Sequence, residues 1–179
     1  HALRGPERLA IVDPAGGAQP IVSADGTLVL AVNGEIYNHR ALQDALATPY
    51  AFTTGSDCEI GGALYRKDGP AAFAKLNGIF AFALWDAQAQ RVVIARDPLG
   101  VCPLYWGHDA DGRMWVASEK KAVVRGCPDV ALFPPGHWYD GATGELVRFH
   151  QRDWRDYDAT RGVSVTPAEW AGTARRVGP

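Results

Sequence analysis

Apolar positions along the chain change period several times, and each change predicts an element. Residues 9–13, LAIVD, read as a short buried strand, and the PAGGAQP stretch after them reads as a loop from its glycine and proline content. In PIVSADGTLVLAVNG two apolar runs flank Asp25-Gly26, which predicts a hairpin. HRALQDALA, residues 39–47, sets Leu42 and Leu46 one turn apart and predicts a helix. A further helix begins near Asp57, with Ile60, Ala63 and Leu64 on one face. It breaks at Asp68-Gly69-Pro70, where Pro70 opens a second short helix that Gly78 ends.

The middle of the chain is dense in strands. GIFAFALWDAQAQRVVIARD predicts two strands joined by the polar DAQAQ, and PLYWGHDADGRMWVASE repeats the scheme around Asp111-Gly112. HWYDGATGELVRFH adds a last hairpin. Ile79 to Trp85 and Val92 to Ala95 are almost continuously apolar, which predicts strands covered on both faces. The pattern implies a layered mixed fold of antiparallel sheets flanked by two or three helices. Residues 166–179 read as a tail or the start of something truncated.

One stretch does not settle on pattern alone. A strand from Leu28 to Val32 runs into Asn33-Gly34, and Glu35-Ile36-Tyr37-Asn38 leads on to the predicted helix. Asn-Gly is first of all a tight-turn signal, because both residues tolerate positive φ. A strand, loop and helix is a poor setting for a hairpin turn, so an amide and an unshielded backbone N–H at the strand's mouth stay open as a second reading.

Composition narrows the function classes. With 179 residues, 47% hydrophobic and 21% charged, the chain can bury a core as one domain. A formal net charge of −2 and the lack of a long basic run give no electrostatic reason to bind nucleic acid or an anionic membrane. No apolar run spans a bilayer and HALRGPERL is too charged for a secretory signal, so a cytoplasmic setting is expected. Cys58, Cys102 and Cys127 are far apart and odd in number, and the five histidines are scattered. Reduced thiols and no metal site are expected. Phe80, Phe82, Trp85, Tyr105, Trp106 and Trp115 fall on strand alternation and read as core rather than as a stacking platform. In RDPLG an ion pair between Arg96 and Asp97 or neighbouring charges, with a turn fixed by Pro98 and Gly100, reads as structural.

ERLAIVD, LAVNGEIYNH, TGSDCEI, LNGIFAFALWD, ARDPLGVCPLYWG, VASEKKAV and FPPGHWY stand in this order along the chain. Together they resemble the glutamine-hydrolysing domain of asparagine synthetases, a class II glutamine amidotransferase domain of the N-terminal-nucleophile hydrolase type. The resemblance runs from about Glu7 to about Tyr157. It implies an α+β fold, a four-layer αββα sandwich of two antiparallel sheets between helices. Residues 1–157 would form the glutaminase domain, and 158–179 a tail or the start of a truncated ATP-dependent synthetase domain.

In such enzymes a thiolate attacks the carboxamide carbon of L-glutamine, and preorganised donors hold the oxyanion that develops. The resemblance assigns that role to Asn33 and Gly34. It assigns Arg8 to the substrate α-carboxylate and Asp57 to its α-ammonium, with Leu9, Ala10, Ile11, Val12 and Glu35 lining the pocket. The chemistry suits those types, since a guanidinium fork grips a carboxylate and a carboxylate holds an amine. Taken without the resemblance, Arg8 is an ordinary surface cation and Asp57 a carboxylate at a helix N-terminus. The implied partner is a C-terminal synthetase domain that binds ATP and Mg and accepts ammonia, with no cofactor in this domain and a homodimer as one open assembly.

The family's nucleophile is a cysteine at the start of the mature chain, whereas this sequence opens with His1, and Arg4-Gly5-Pro6 runs straight into Glu7. Cys58 is the most plausible internal substitute, because it opens a helix whose dipole is expected to lower its pKa. The resemblance argues against it, since the family carries a cysteine there besides the terminal one. A different class II amidotransferase and a catalytically silent domain of the same fold stay open as alternatives.

Overall fold

The computed structural model describes residues 13, 17–46 and 48–150. Strands β1 (Ile21–Val22) and β2 (Leu28–Ile36) form the first hairpin, followed by helix α1 (His39–Asp44). A 3-10 turn at Asp57–Glu59 runs into α2 (Ile60–Asp68), and a second 3-10 turn spans Pro70–Lys75. Then come β3 (Gly78–Asp86), β4 (Arg91–Arg96), β5 (Tyr105–His108), β6 (Met114–Ala117), α3 (Lys120–Val124), β7 (Asp129–Leu132), β8 (His137–Asp140) and β9 (Glu145–Arg148). These strands make two antiparallel sheets, a six-stranded one in the order β1-β2-β3-β4-β8-β9 and a three-stranded one in the order β6-β5-β7.

The near-continuous apolarity of β3 and β4 has the predicted cause. Phe80, Phe82 and Leu84 of β3, with Val93 and Ala95 of β4, face one core cluster, where Ile60 and Leu64 of α2 and Phe73 meet them. Ala81 and Ile94 alternate to the opposite face and join Leu104, Phe133 and Trp106 in a second cluster beneath the small sheet. Each buried Phe or Leu contributes about 2 kcal/mol of transfer free energy to the layered arrangement. On the small sheet α3 packs against β5, β6 and β7, and Gly126 lies so close under the Trp115 ring that a Cβ there would meet it at 2.8 Å. Trp115 itself is 41% exposed and donates to Asp109, so it departs from the expected core role.

Most of the predicted turns are present, and residues with positive φ, mainly glycines, explain them. Gly26, Gly112 and Gly144 hold φ near +71, +76 and +74 in three of the four hairpin loops, Gln90 holds φ +51 in the β3–β4 loop, and Gly69, with φ +70, ends α2. Several expectations need correction. The predicted helix 39–47 stops at Asp44, while the short helix that Pro70 opens is present as a 3-10 helix. Strand β7 and helix α3 have no counterpart in the sequence reading. Arg96 and Asp97 do not pair with each other. The Arg96 guanidinium donates to the carbonyls of Cys102, Phe133 and Gly100, each at 2.7 Å, while the Asp97 carboxylate accepts from the N–H groups of Leu99, Gly100, Val101 and Cys102. Both charges are spent on backbone, that of the 97–102 loop and, for Arg96, also of Phe133 after β7, so the structural reading of RDPLG stands with a different mechanism. The predicted strand 9–13 apart from Asp13, and the boundary at 157/158, lie outside the described residues.

Candidate functional site

Asn33-Gly34 is neither a turn nor the mouth of a strand. β2 continues through both residues to Ile36, with Asn33 opposite Ala81 and Gly34 opposite Phe80 of β3. Gly34 takes φ +131, and a Cβ there would lie 2.0 Å from the Ile79 carbonyl oxygen. Two rungs on, the mirror contact holds, since a Cβ at Gly78 would meet the Glu35 carbonyl oxygen at 2.1 Å. Here the two backbones approach as closely as only paired glycines permit.

The free edge of β2 shows why this conformation matters. The Asp97 N–H takes the Phe80 carbonyl on the β4 side, so β3 leaves the alternate residues of β2 to their outer edge. That edge is closed by side chains. The Gln19 carboxamide accepts from Val32 N–H at 2.8 Å and donates to Val32 O at 2.7 Å, in the manner of a one-residue strand. The Cys58 thiol donates to Gly34 O at 3.4 Å, and Asp57 Oδ2 accepts from Ile36 N–H at 2.6 Å. Alternation aims the Gly34 N–H toward this same edge, between Gln19 and Asp57, and no described side chain accepts from it. Next to it the exposed Asn33 carboxamide donates to Ser118 Oγ at 3.4 Å, across to the residue that follows β6.

Asp57 is 4% exposed and opens the 3-10 turn, as its helix-start reading expects, with Ser56 Oγ accepting from Cys58 N–H as the cap. Its carboxylate turns onto β2 instead of standing free at the helix end. Glu59, 1% exposed, anchors the loop before it. Oε1 accepts from the N–H and hydroxyl of Thr53, and Oε2 from the N–H and hydroxyl of Thr54. Glu35 is half-buried on β2, and its charge adds to the upward shift of both the Cys58 and Cys102 thiols.

The expectation that a helix dipole activates Cys58 is overturned. Burial first, and then the Asp57 carboxylate, push its thiol up to about 12, so it is a protonated donor and not a nucleophile at neutral pH. Burial likewise pushes Cys102 up to about 11 and raises Cys127. Among the described residues, all three cysteines are free and buried, and no three His, Cys, Asp or Glu side chains converge as a metal site requires. No described helix is long and apolar enough to cross a membrane.

The structure thus brings Asn33, Gly34, Glu35 and Asp57 together, while Arg8, Leu9, Ala10, Ile11 and Val12 lie outside the described residues. Sequence reasoning missed Gln19, Glu59 and Ser118. Ser118 is 85 positions from its partner, and no periodicity signals such a contact.

Comparisons with known proteins identify the family. A family model described as a glutamine amidotransferase domain matches residues 1–141. Asparagine synthetase B [glutamine-hydrolyzing] of Escherichia coli is 48% identical over 161 residues, covering 90% of this chain and 29% of that protein. A probable asparagine synthetase [glutamine-hydrolyzing] of Schizosaccharomyces pombe is 49% identical over 152 residues, covering 84% of this chain and 27% of that protein. The chain therefore spans under a third of the length of these relatives. Among solved structures, the glutamine phosphoribosylpyrophosphate amidotransferase of B. subtilis superposes with a TM-score of 0.61 at 27% identity, covering 75% of this chain and 32% of that one. With its family model matching most of its length, the chain belongs to the glutamine amidotransferase domains.

Proposed function

We propose that this domain hydrolyses L-glutamine and releases ammonia for the amidation of aspartate, as the glutaminase part of an ATP-dependent, glutamine-hydrolysing asparagine synthetase. The observation that carries the reading is Asn33-Gly34 within β2, an exposed carboxamide beside a backbone N–H aimed outward, at a glycine where no Cβ fits. Two such donors, fixed before substrate arrives, suit the oxyanion of a tetrahedral intermediate formed on the glutamine carboxamide. The attacking thiolate would come from a cysteine at the start of the mature chain, as the resemblance implies. Asp57 would hold the substrate ammonium, Arg8 its carboxylate, and Leu9, Ala10, Ile11, Val12 and Glu35 would line the pocket. The rest of the reading is a full αββα sandwich, a cytoplasmic setting and a synthetase domain using ATP and Mg. The similarity to glutamine-hydrolysing asparagine synthetases at 48% and 49% identity supports it.

The test uses the full-length protein and its Asn33→Ala variant, with asparagine formation measured once from glutamine and once from added ammonia. Loss of an oxyanion donor should lower the glutamine-dependent rate by about 10²–10³ and leave the ammonia-dependent rate in place. A wild-type protein that releases no ammonia from glutamine, or a variant that keeps its glutamine-dependent rate, overturns the reading.

A further inference from the structure

Two of the described polar groups on the outer edge of β2 around Gly34 are held from the same short turn. Asp57 and Cys58 are adjacent, both buried, and reach the strand two residues apart, at Ile36 N–H and Gly34 O. Ser56 caps the turn and Glu59 fixes its approach, so the turn cannot drift along the strand. Gly34 itself has a conformation with φ +131 that its own residue type does not enforce. The Asn33–Gly34 peptide carries the N–H and the Gly34–Glu35 peptide carries Gly34 O, and the bonds of the glycine α-carbon that joins them rotate freely. Something outside the glycine has to fix it.

We infer that Cys58 is the positioning residue of this site: its thiol, donating to Gly34 O, holds the Gly34–Glu35 peptide against the Asn33–Gly34 peptide, so that the N–H of the latter stays aimed at the substrate oxyanion. The inference rests on the glutaminase reading. A carbonyl held on one side of the α-carbon and a strand register held by Asp57 on Ile36 leave the Gly34 N–H little freedom to swing. A thiol is a weak donor, but this one is 5% exposed, and burial strengthens its bond to Gly34 O. Its upward-shifted pKa of about 12 keeps the proton in place throughout the neutral range. Cys58 touches no reacting atom in this scheme. It acts through Gly34, which explains a cysteine beside the site that burial makes useless as a nucleophile.

The experiment compares Cys58→Ala, Cys58→Ser and Cys58→Val in the full-length protein, with wild type and Asn33→Ala alongside, by steady-state ammonia release from glutamine. Loss of the donor in Cys58→Ala should lower kcat by about tenfold with KM for glutamine within about twofold, because the oxyanion forms only after substrate is bound. Cys58→Ser keeps a donor and should recover most of the rate. Cys58→Val fills the space without a donor and serves if the alanine variant does not fold. Wild-type kcat in both Cys58→Ala and Cys58→Val overturns the positioning role alone, provided Asn33→Ala is impaired. Equal impairment of the serine and valine variants also overturns it, by assigning the effect to packing. A wild-type protein silent toward glutamine overturns this inference together with the glutaminase reading.

Discussion

The Asn33 carboxamide donates to the Ser118 hydroxyl at 3.4 Å, tying β2 of the large sheet to the residue that follows β6 of the small one. An asparagine amide has two N–H bonds, and using one on Ser118 orients the other. Ser118→Ala should therefore lower kcat for ammonia release by about fivefold, the equivalent of a hydrogen bond of about 1 kcal/mol. KM for glutamine should hold. Steady-state kinetics on the full-length protein check this, and an unchanged kcat would show that the contact does not orient the amide.

The paired glycines predict a stability effect out of proportion to one methyl group. Gly34→Ala combines φ +131 with a contact at 2.0 Å, and Gly78→Ala places its Cβ 2.1 Å from a carbonyl oxygen. Each should cost at least about 4 kcal/mol, or prevent folding. Gly112→Ala, with φ +76 but nothing within 4 Å, should cost only about 1 kcal/mol. Urea denaturation of the three variants distinguishes steric from purely conformational cost.

Cys58 gives the stability curve an alkaline limb. The native thiol holds its proton up to about 12, against an ordinary value of 9.0 in the unfolded chain. Its contribution is thus complete below about 9 and is lost as pH rises through the window toward 12, by at most about 1.4 kcal/mol per pH unit. The urea midpoint of wild type should fall more steeply between about pH 9 and 10.5 than that of Cys58→Ser. Parallel curves would mean that the thiol is not the source.

Glu59→Gln removes acceptors from a carboxylate that takes four hydrogen bonds from Thr53 and Thr54. An amide nitrogen cannot accept, so one oxygen's pair of bonds is lost, at about 2–3 kcal/mol. The same change loosens the loop that carries Asp57. Faster amide exchange at Thr53 and Thr54, together with a lower melting temperature, is the expected result.

Hairpins were legible in the sequence wherever a left-handed glycine coincided with a change in apolar run, as at Gly26 and Gly112. The doubly covered β3 was legible from Ile79 to Trp85 because its composition reports burial on both faces directly. Asn33-Gly34 was not, since local propensity favours a turn and only β3, with Gly78 across from Ile36, keeps the strand extended. α3 has only five residues, too few to show a period, and three of the four residues of β7 are exposed, which leaves no alternation to read. At Cys58 the visible signal was a helix start, which argues for an acidic thiol. Burial, invisible in one dimension, outweighs it. Asn33, Gly34, Glu35 and Asp57 were assigned by family resemblance, and the contacts of Gln19, Cys58 and Ser118 with β2 needed coordinates.

An open strand edge is an invitation to other chains, because its row of donors and acceptors will pair with any extended backbone. On β2 that row is occupied by a glutamine and by an adjacent aspartate and cysteine from a second stretch of sequence, and among the described residues it is interrupted at the Gly34 N–H. An opening one peptide unit wide is too short for a second strand to zip onto and wide enough for a single carbonyl oxygen. The arrangement that would make the site receptive to a small amide therefore also protects the sheet from sticking to its neighbours.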